Sequence, residues 1–308
     1  MMNLTVFSTF NNITYINNQY LQMHQHVQIG FIIIITFCFC FFIYFILVLL
    51  VVYFTTPHVR ENARYILFAH MLINDTVYLS LGLFLSMGVG LLIYIPVPIC
   101  YILVTCAAAT FRITPYNLAF MALERYVAIC FPLRHTMLCT AQRSYVAIAA
   151  MWFVGWLPSF ADFIVLISSV EIKYFSRNLL CRHQSLLVLP VQNIIQSSIL
   201  IGSFILVSLV ILYTYIKVML IARKTGSGKS SASKAGRTLI LHAVQLFLCL
   251  LSLTSSFSEK YQGEYNFLVI MLNFLMLMYL PRLLSPLIYG IRDKVFSKSI
   301  KKMYSTIK

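Results

Sequence analysis

Seven stretches of this sequence are too long and too apolar for ordinary soluble helices: roughly 29–54, 65–93, 99–129, 144–168, 188–221, 236–257 and 265–290. At a rise of about 1.5 Å per residue, each can reach across roughly 30 Å of hydrocarbon. No water inside a bilayer serves backbone amides and carbonyls, so segments of this length satisfy themselves as helices, and barrel strands would be about half as long. The composition agrees, since 60% of the 308 residues are hydrophobic and only 10% are charged, against about 25% charged in soluble domains. The expected fold is an all-α membrane protein, a seven-transmembrane helix bundle with a short amphipathic C-terminal helix.

Charge placement orients the bundle. The formal net charge of +15 could by itself point to nucleic acid, but the sequence has no long basic run, and the cations fall in the gaps between apolar spans. Seventeen Lys and Arg lie on the side that holds the loops after spans one, three and five and the C-terminal tail; four, Lys173, Arg177, Arg182 and Lys260, lie on the other. The cation-rich side is expected to be cytoplasmic, which puts the N-terminus outside and the C-terminus inside. The expected divisions are an extracellular tail over 1–28, the membrane domain over 29–290, and a cytoplasmic amphipathic helix and tail over 291–308. In that last segment Val295, Phe296, Ile300 and Met303 lie opposite several lysines, a pattern suited to an anionic inner leaflet.

The first 26 residues have no charged side chain and no basic signal-peptide region, so the tail is expected to stay on the protein. Asn3 and Asn12 head glycosylation triplets there, Asn3-Leu4-Thr5 and Asn12-Ile13-Thr14. A third match at Asn74 falls inside an apolar span and is discounted. The third inner loop, around Gly226 and Lys229, is similar to a fragment of a phosphate-binding loop but lacks the preceding strand and the glycine spacing, so it is read as a flexible basic connector.

Eight cysteines are too few for a disulfide scaffold, and no paired-cysteine or Cys/His spacing suggests a metal; no cofactor is expected. Cys100 opens span three on the outer side and Cys181 lies in the outer connection between spans four and five. Both would face the oxidising side, and a bridge between them would pin that loop over the bundle.

At the inner end of span three stands Met121-Ala122-Leu123-Glu124-Arg125-Tyr126-Val127-Ala128-Ile129-Cys130, continued by Pro132-Leu133-Arg134-His135. This stretch resembles the third-helix signature of odorant receptors in the rhodopsin-like class of G-protein-coupled receptors. Lys234-Ala235, Thr238 and His242 resemble the start of their sixth helix, and Pro281 with Ser285-Pro286-Leu287-Ile288-Tyr289 the end of their seventh. The likeness spans residues 29 to 304, and Glu124 and the segment Glu61–Tyr65 look most like fish odorant receptors.

The resemblance implies a small odorant as ligand, a heterotrimeric G protein as partner and no covalent chemistry. It assigns an inner switch to Glu124, Arg125, Tyr126, Tyr215, Lys234 and Tyr289, and makes Trp152 the fourth-helix tryptophan. By position, Ala107, Ala108, Phe111 and Arg112 from span three and Ile199 and Ser203 from span five would line the ligand cavity. Leu253, Thr254 and Phe257 from span six and Met278 and Tyr279 from span seven would complete it. Departures are present: span one lacks the usual asparagine, Ser285 stands where many relatives carry Asn, and span six has neither the tryptophan nor the proline of many members.

Four charges fall inside the spans, Asp75, Arg112, Asp162 and Arg282, and intramembrane charge marks function by default. Asp75 matches the second-helix aspartate that holds sodium in many relatives. Arg282 shares a helical face with Ser285, Pro286 and Tyr289, so an Asp75–Arg282 pair in place of a sodium site is expected. Arg112 has two readings: a structural partner for Asp162, or a ligand-facing group for anionic odorants.

Other functional classes fit less well. A transporter would show internal repeats and broken helices at midplane, an intramembrane protease paired acids or a nucleophile motif, and a retinal protein a lysine in span seven, where none lies between Lys260 and Lys294. Within the receptors, the alternative is a non-olfactory receptor for a peptide, amine or lipid. Ala107 stands where amine receptors commonly carry an acid, which weighs against cationic amines.

Overall fold

The computed structural model describes residues 2–187 and 189–224, together with 240, 244, 247, 279, 280, 282 and 283. The first helix, α1, runs Met2–Thr55. It is followed by a short α2 (Pro57–Arg60), α3 (Ala63–Gly90), β1 (Tyr94–Pro96) and α4 (Val97–Cys130). Then come α5 (Pro132–Leu138), α6 (Ala141–Ser169), α7 (Ile172–Phe175), β2 (Asn178–Leu180), a 3-10 turn over His183–Leu186, and α8 (Pro190–Lys224).

Five of these helices carry stretches long and apolar enough to cross a membrane: Ile29–Thr55, Ala63–Gly90, Val97–Cys130, Ala141–Ser169 and Val191–Ile221. They correspond to the first five expected spans. Spans six and seven fall almost wholly outside the described residues. Within the segment over 1–28, α1 is already helical from Met2. No proline or glycine occurs between residues 2 and 29, so nothing in the chain interrupts the helix; at about 1.5 Å per residue its 54 residues extend well past one hydrocarbon thickness.

Local chemistry sets the breaks. Asn62 caps α3, its side chain accepting from the Arg64 amide at 3.0 Å, and Thr140 caps α6, accepting from the Arg143 amide. Pro57 and Pro132 occupy first-turn positions, where a missing N–H does no harm. Pro115 and Pro158 lie inside α4 and α6, where each removes one ladder hydrogen bond that a buried helix can do without when neighbours cover the gap.

α4 is the central element and packs against α3, α6 and α8, while α1 packs on α3. Leu49, Met71, Leu72, Leu79, Ile113 and Leu118 are fully buried between them. The outward faces are apolar and open, as with Phe37, Phe153, Ile164 and Leu209; exposure of this kind over whole helix faces belongs to a lipid environment, not to water. At the end of the bundle where α4 begins, β1 and β2 pair antiparallel, Tyr94 opposite Leu180 and Pro96 opposite Asn178. This two-stranded sheet joins segments far apart in the chain, its strands too short for their alternation to show in the sequence, and delivers Cys181 to the first turn of α4.

Candidate functional site

At the end of the bundle that carries the Cys100–Cys181 link, α4, α6 and α8 border a partly open cavity of about 30 Å³. Tyr101, Thr105, Ala108 and Arg112 reach it from α4, steps of four, three and four that keep them on one helical face. Ser159 and Asp162 reach it from α6, and Gln192 and Gln196 from α8, again at spacings of three and four. His183, Leu186 and Leu187, which follow Cys181, close the remaining side.

The Cys100–Cys181 disulfide, with Cα atoms 5.5 Å apart and 81 residues of sequence between them, holds this turn to α4. Around it Val97, Val104 and Leu186 form a small outer core separate from the main one. His183 keeps one side exposed. Packing on its other side pushes the imidazole below the usual histidine range, with a Gln196 hydrogen bond opposing the shift and the Arg112 charge adding to it.

Arg112 is 9% exposed, as is Asp162. The arginine donates from Nε to the Gly155 carbonyl at 2.9 Å and from Nη2 to Ser159 Oγ. Gly155 makes this possible: a Cβ there would meet Ile113 Cγ1 at 2.8 Å, so only glycine lets α6 come this close to α4. Asp162 Oδ2 accepts from Gln196 Nε2. A direct Arg112–Asp162 ion pair, one of the two readings of Arg112, is not formed; the ion pairs among the described residues are Arg282–Asp75, His135–Glu124 and Arg125–Glu124. A carbonyl and a hydroxyl from α6 occupy the arginine instead.

Deeper in the bundle Arg282 Nη1 donates to Asp75 Oδ1 at 2.6 Å, with both side chains at 2% exposure or less. The guanidinium carbon stands 3.7 Å from the centre of the Tyr78 ring and 5.7 Å from that of Phe111. Thr114 Oγ1 donates to Asp75 Oδ1 at 3.3 Å and accepts from Arg282 at 3.2 Å, while the Asn74 amide donates to the Thr110 carbonyl and to Thr114. One arginine from span seven is thereby tied to both α3 and α4.

At the opposite end of α4 Glu124 is buried, 3.7 Å from Arg125 Nε and 3.0 Å from His135 Nε2 on α5. Tyr126 packs its ring against Phe131 and Tyr213. Tyr215, half-buried on α8, lies against the main core.

Of the residues expected around a ligand, Ala108 and Arg112 line the cavity. Phe111 turns instead to the charge pair, its ring 5.8 Å from Tyr78. Ser203 is buried and bonded to the Tyr116 hydroxyl at 2.6 Å, below the cavity walls. Ile199 is 39% exposed on α8, and Tyr279 packs against Phe42 of α1. Ala107 is half-buried and does not reach the cavity. Leu253, Thr254, Phe257 and Met278, with Lys234 and Tyr289 of the switch, lie outside the described residues. Asn3 and Asn12 fall on the N-terminal part of α1. Trp152 donates its indole N–H to His70 Nε2 at 2.9 Å, joining α6 to α3.

Sequence reasoning missed Ser159, His183, Gln192 and Gln196 in the cavity, and His135 beside Glu124. The glutamine pair carried a signal, since Gln192 and Gln196 stand with Asn193, Ser197 and Ser198 in a polar cluster within a mainly apolar span. His135 carried none, since its contact with Glu124 depends on how α5 folds back beneath α4.

Residues 46–289 match the family described as 7 transmembrane receptor (rhodopsin family). The chain is 28% identical over 261 residues to Odorant receptor 131-2 of Danio rerio, covering 82% of this chain and 79% of that receptor. It is 26% identical over 198 residues to Olfactory receptor 51E1 of Homo sapiens, covering 60% of this chain and 59% of that protein. With Olfactory receptor 8C8 of Mus musculus the identity is 28% over 205 residues, 62% of this chain and 63% of the other.

Proposed function

Because the chain belongs to the rhodopsin family of seven-transmembrane receptors, we propose that it is an odorant receptor that binds a small molecule among its outer helix ends and activates an olfactory-type G protein, raising cyclic AMP. The observation that carries this reading is that the relatives matched over most of the chain are odorant and olfactory receptors. It is a multi-pass membrane protein and not an enzyme.

α4 supplies the route from ligand to partner. It carries Arg112 and Ala108 at the cavity, Thr110 and Thr114 beside the buried charges, and Glu124 and Arg125 at the inner end. A ligand that holds Arg112 differently in two arrangements of the bundle shifts the balance between them. The inner consequence in this reading is that Arg125 exchanges Glu124 for another partner, with Tyr126, Tyr215, Lys234 and Tyr289 forming the surface the G protein meets. Asp75 and Arg282 occupy each other where relatives hold sodium. The N-terminus is outside, with Asn3 and Asn12 as glycan acceptors, and the C-terminus is inside.

The test is expression with an olfactory-type G protein and a cyclic AMP readout, screening acids, alcohols, steroids and amino acids. Responses confined to cells carrying the receptor support the proposal. A flat response to every odorant, with surface expression verified, would overturn it in favour of a non-olfactory receptor.

A further inference from the structure

The outer cavity holds two opposite charges that do not touch. Arg112 spends two N–H groups on α6, Nε on the Gly155 carbonyl and Nη2 on Ser159; a guanidinium has five, and the others have no hydrogen-bond partner among the described residues. Asp162 has one oxygen on the Gln196 amide. Both side chains are nine-tenths buried and both line the same cavity, with polar groups from Tyr101, Thr105, Ser159, Gln192 and Gln196 and the His183 imidazole, which is held below the usual histidine range, around them.

A buried charge is held best by a counter-charge in contact with it. Here each charge has only dipoles as neighbours and feels the other at a distance. A purely anionic ligand would satisfy Arg112 while adding a second negative charge beside Asp162, and a cationic amine would do the reverse. A molecule carrying a carboxylate and an ammonium makes one contact pair with each and leaves the cavity neutral.

We infer that this cavity recognises a small amino-acid-like zwitterion, its carboxylate on Arg112 and its ammonium on Asp162, where it displaces the Gln196 amide. This rests on the odorant-receptor reading and names the ligand class of that same site. The present cavity has room for only one or two waters, so binding requires it to widen, and in this proposal the His183–Leu186 turn gives way, a segment anchored by Cys181 at one end. The side chain of the ligand would meet Leu186, Leu187 and Val104, which favours aliphatic amino acids.

The experiment uses the full-length receptor in cells, with surface expression measured alongside cyclic AMP. Leucine is compared with isoamylamine, which lacks its carboxylate, and with 4-methylpentanoic acid, which lacks its ammonium; the other common amino acids and a set of neutral alcohols complete the panel. The expected result is that an amino acid activates the wild-type receptor and that removing either charged group of it weakens potency roughly 10- to 100-fold, the range of a charge-assisted contact. In Arg112→Gln the matched amine should become as potent as the amino acid, and in Asp162→Asn the matched acid should. Such reciprocal exchange of preference cannot come from loss of folding.

Activation of the wild type by the acid as strongly as by the amino acid overturns the inference and leaves Arg112 a simple anion site. Activation by alcohols alone also overturns it while leaving the odorant-receptor reading intact. Silence toward the whole panel, at normal surface expression, overturns the inference; the odorant-receptor reading falls with it only when the wider screen of acids, alcohols, steroids and amino acids is flat as well. These comparisons use the wild type alone, so they decide the matter even if a variant fails to reach the surface.

Discussion

Asp75 and Arg282 are carried into the middle of the bundle at almost no exposure, and what they do follows from that position. Removing one partner strands the other charge in a dry interior, which is far worse than removing both. Asp75→Ala or Arg282→Ala should therefore each lower stability by about 3–5 kcal/mol, whereas Asp75→Asn combined with Arg282→Gln should recover a large part of that loss. Thermal unfolding of the purified receptor in detergent reads the difference; two single losses that simply add would refute the pairing. Arg282→Lys should not rescue, because a lysine lacks the planar face that stacks 3.7 Å over Tyr78. A residue pair that already neutralises Asp75 leaves no place for a cation, so agonist potency should be unchanged when physiological sodium replaces potassium; a marked fall would contradict the reading.

At the scale of helices, packing is governed by one small residue and one covalent link. Gly155→Ala would put a methyl 2.8 Å from Ile113 Cγ1, and Ile113 is fully buried, so α6 must withdraw from α4. We expect a loss of about 1–3 kcal/mol, partly restored by Ile113→Ala in the same chain, with the Arg112–Gly155 hydrogen bond weakened in the single variant. Cys100→Ser and Cys181→Ser should each lose about 2–4 kcal/mol. The double variant should be no worse than either single, which thermal unfolding with and without reductant checks.

The helices themselves were legible because apolar runs long enough to span hydrocarbon have no other use. The two-stranded sheet beside Cys181 was not, since three-residue strands leave no alternation to see. The site divides in the same way. Charges such as Asp75, Arg112, Asp162 and Arg282 stand out against apolar surroundings and could be named from the sequence. Ser159 could not, because a lone neutral polar residue in a span becomes informative only when its partner on another helix is known. Phe111 and Tyr279 were placed at the cavity by depth alone, and depth does not say which way a helix is turned; their rings pack on Tyr78 and Phe42.

For the whole molecule, α4 carries the cavity residues, the threonines beside the buried charge cluster and the Glu124–Arg125 pair proposed as a switch within one helix, Val97–Cys130. Arg125→Ala should leave ligand binding in place and abolish the cyclic AMP response, since it removes the exchanging partner but touches nothing in the cavity; retained signalling would refute its assigned role. The direction in which that helix conducts depends on the orientation of the bundle. Cations are concentrated in the connections after spans one, three and five and in the C-terminal tail, and translocating such segments across a bilayer is disfavoured. The disulfide agrees with this arrangement: Cys100 and Cys181 sit at the end of the bundle opposite Arg125, where an oxidising exterior can form and keep the bond. An epitope at the N-terminus should therefore be stained on intact cells, and one at the C-terminus only after permeabilisation. The reverse pattern would place the disulfide in a reducing compartment and the cavity out of reach of any external ligand, so the receptor reading would fall with the topology.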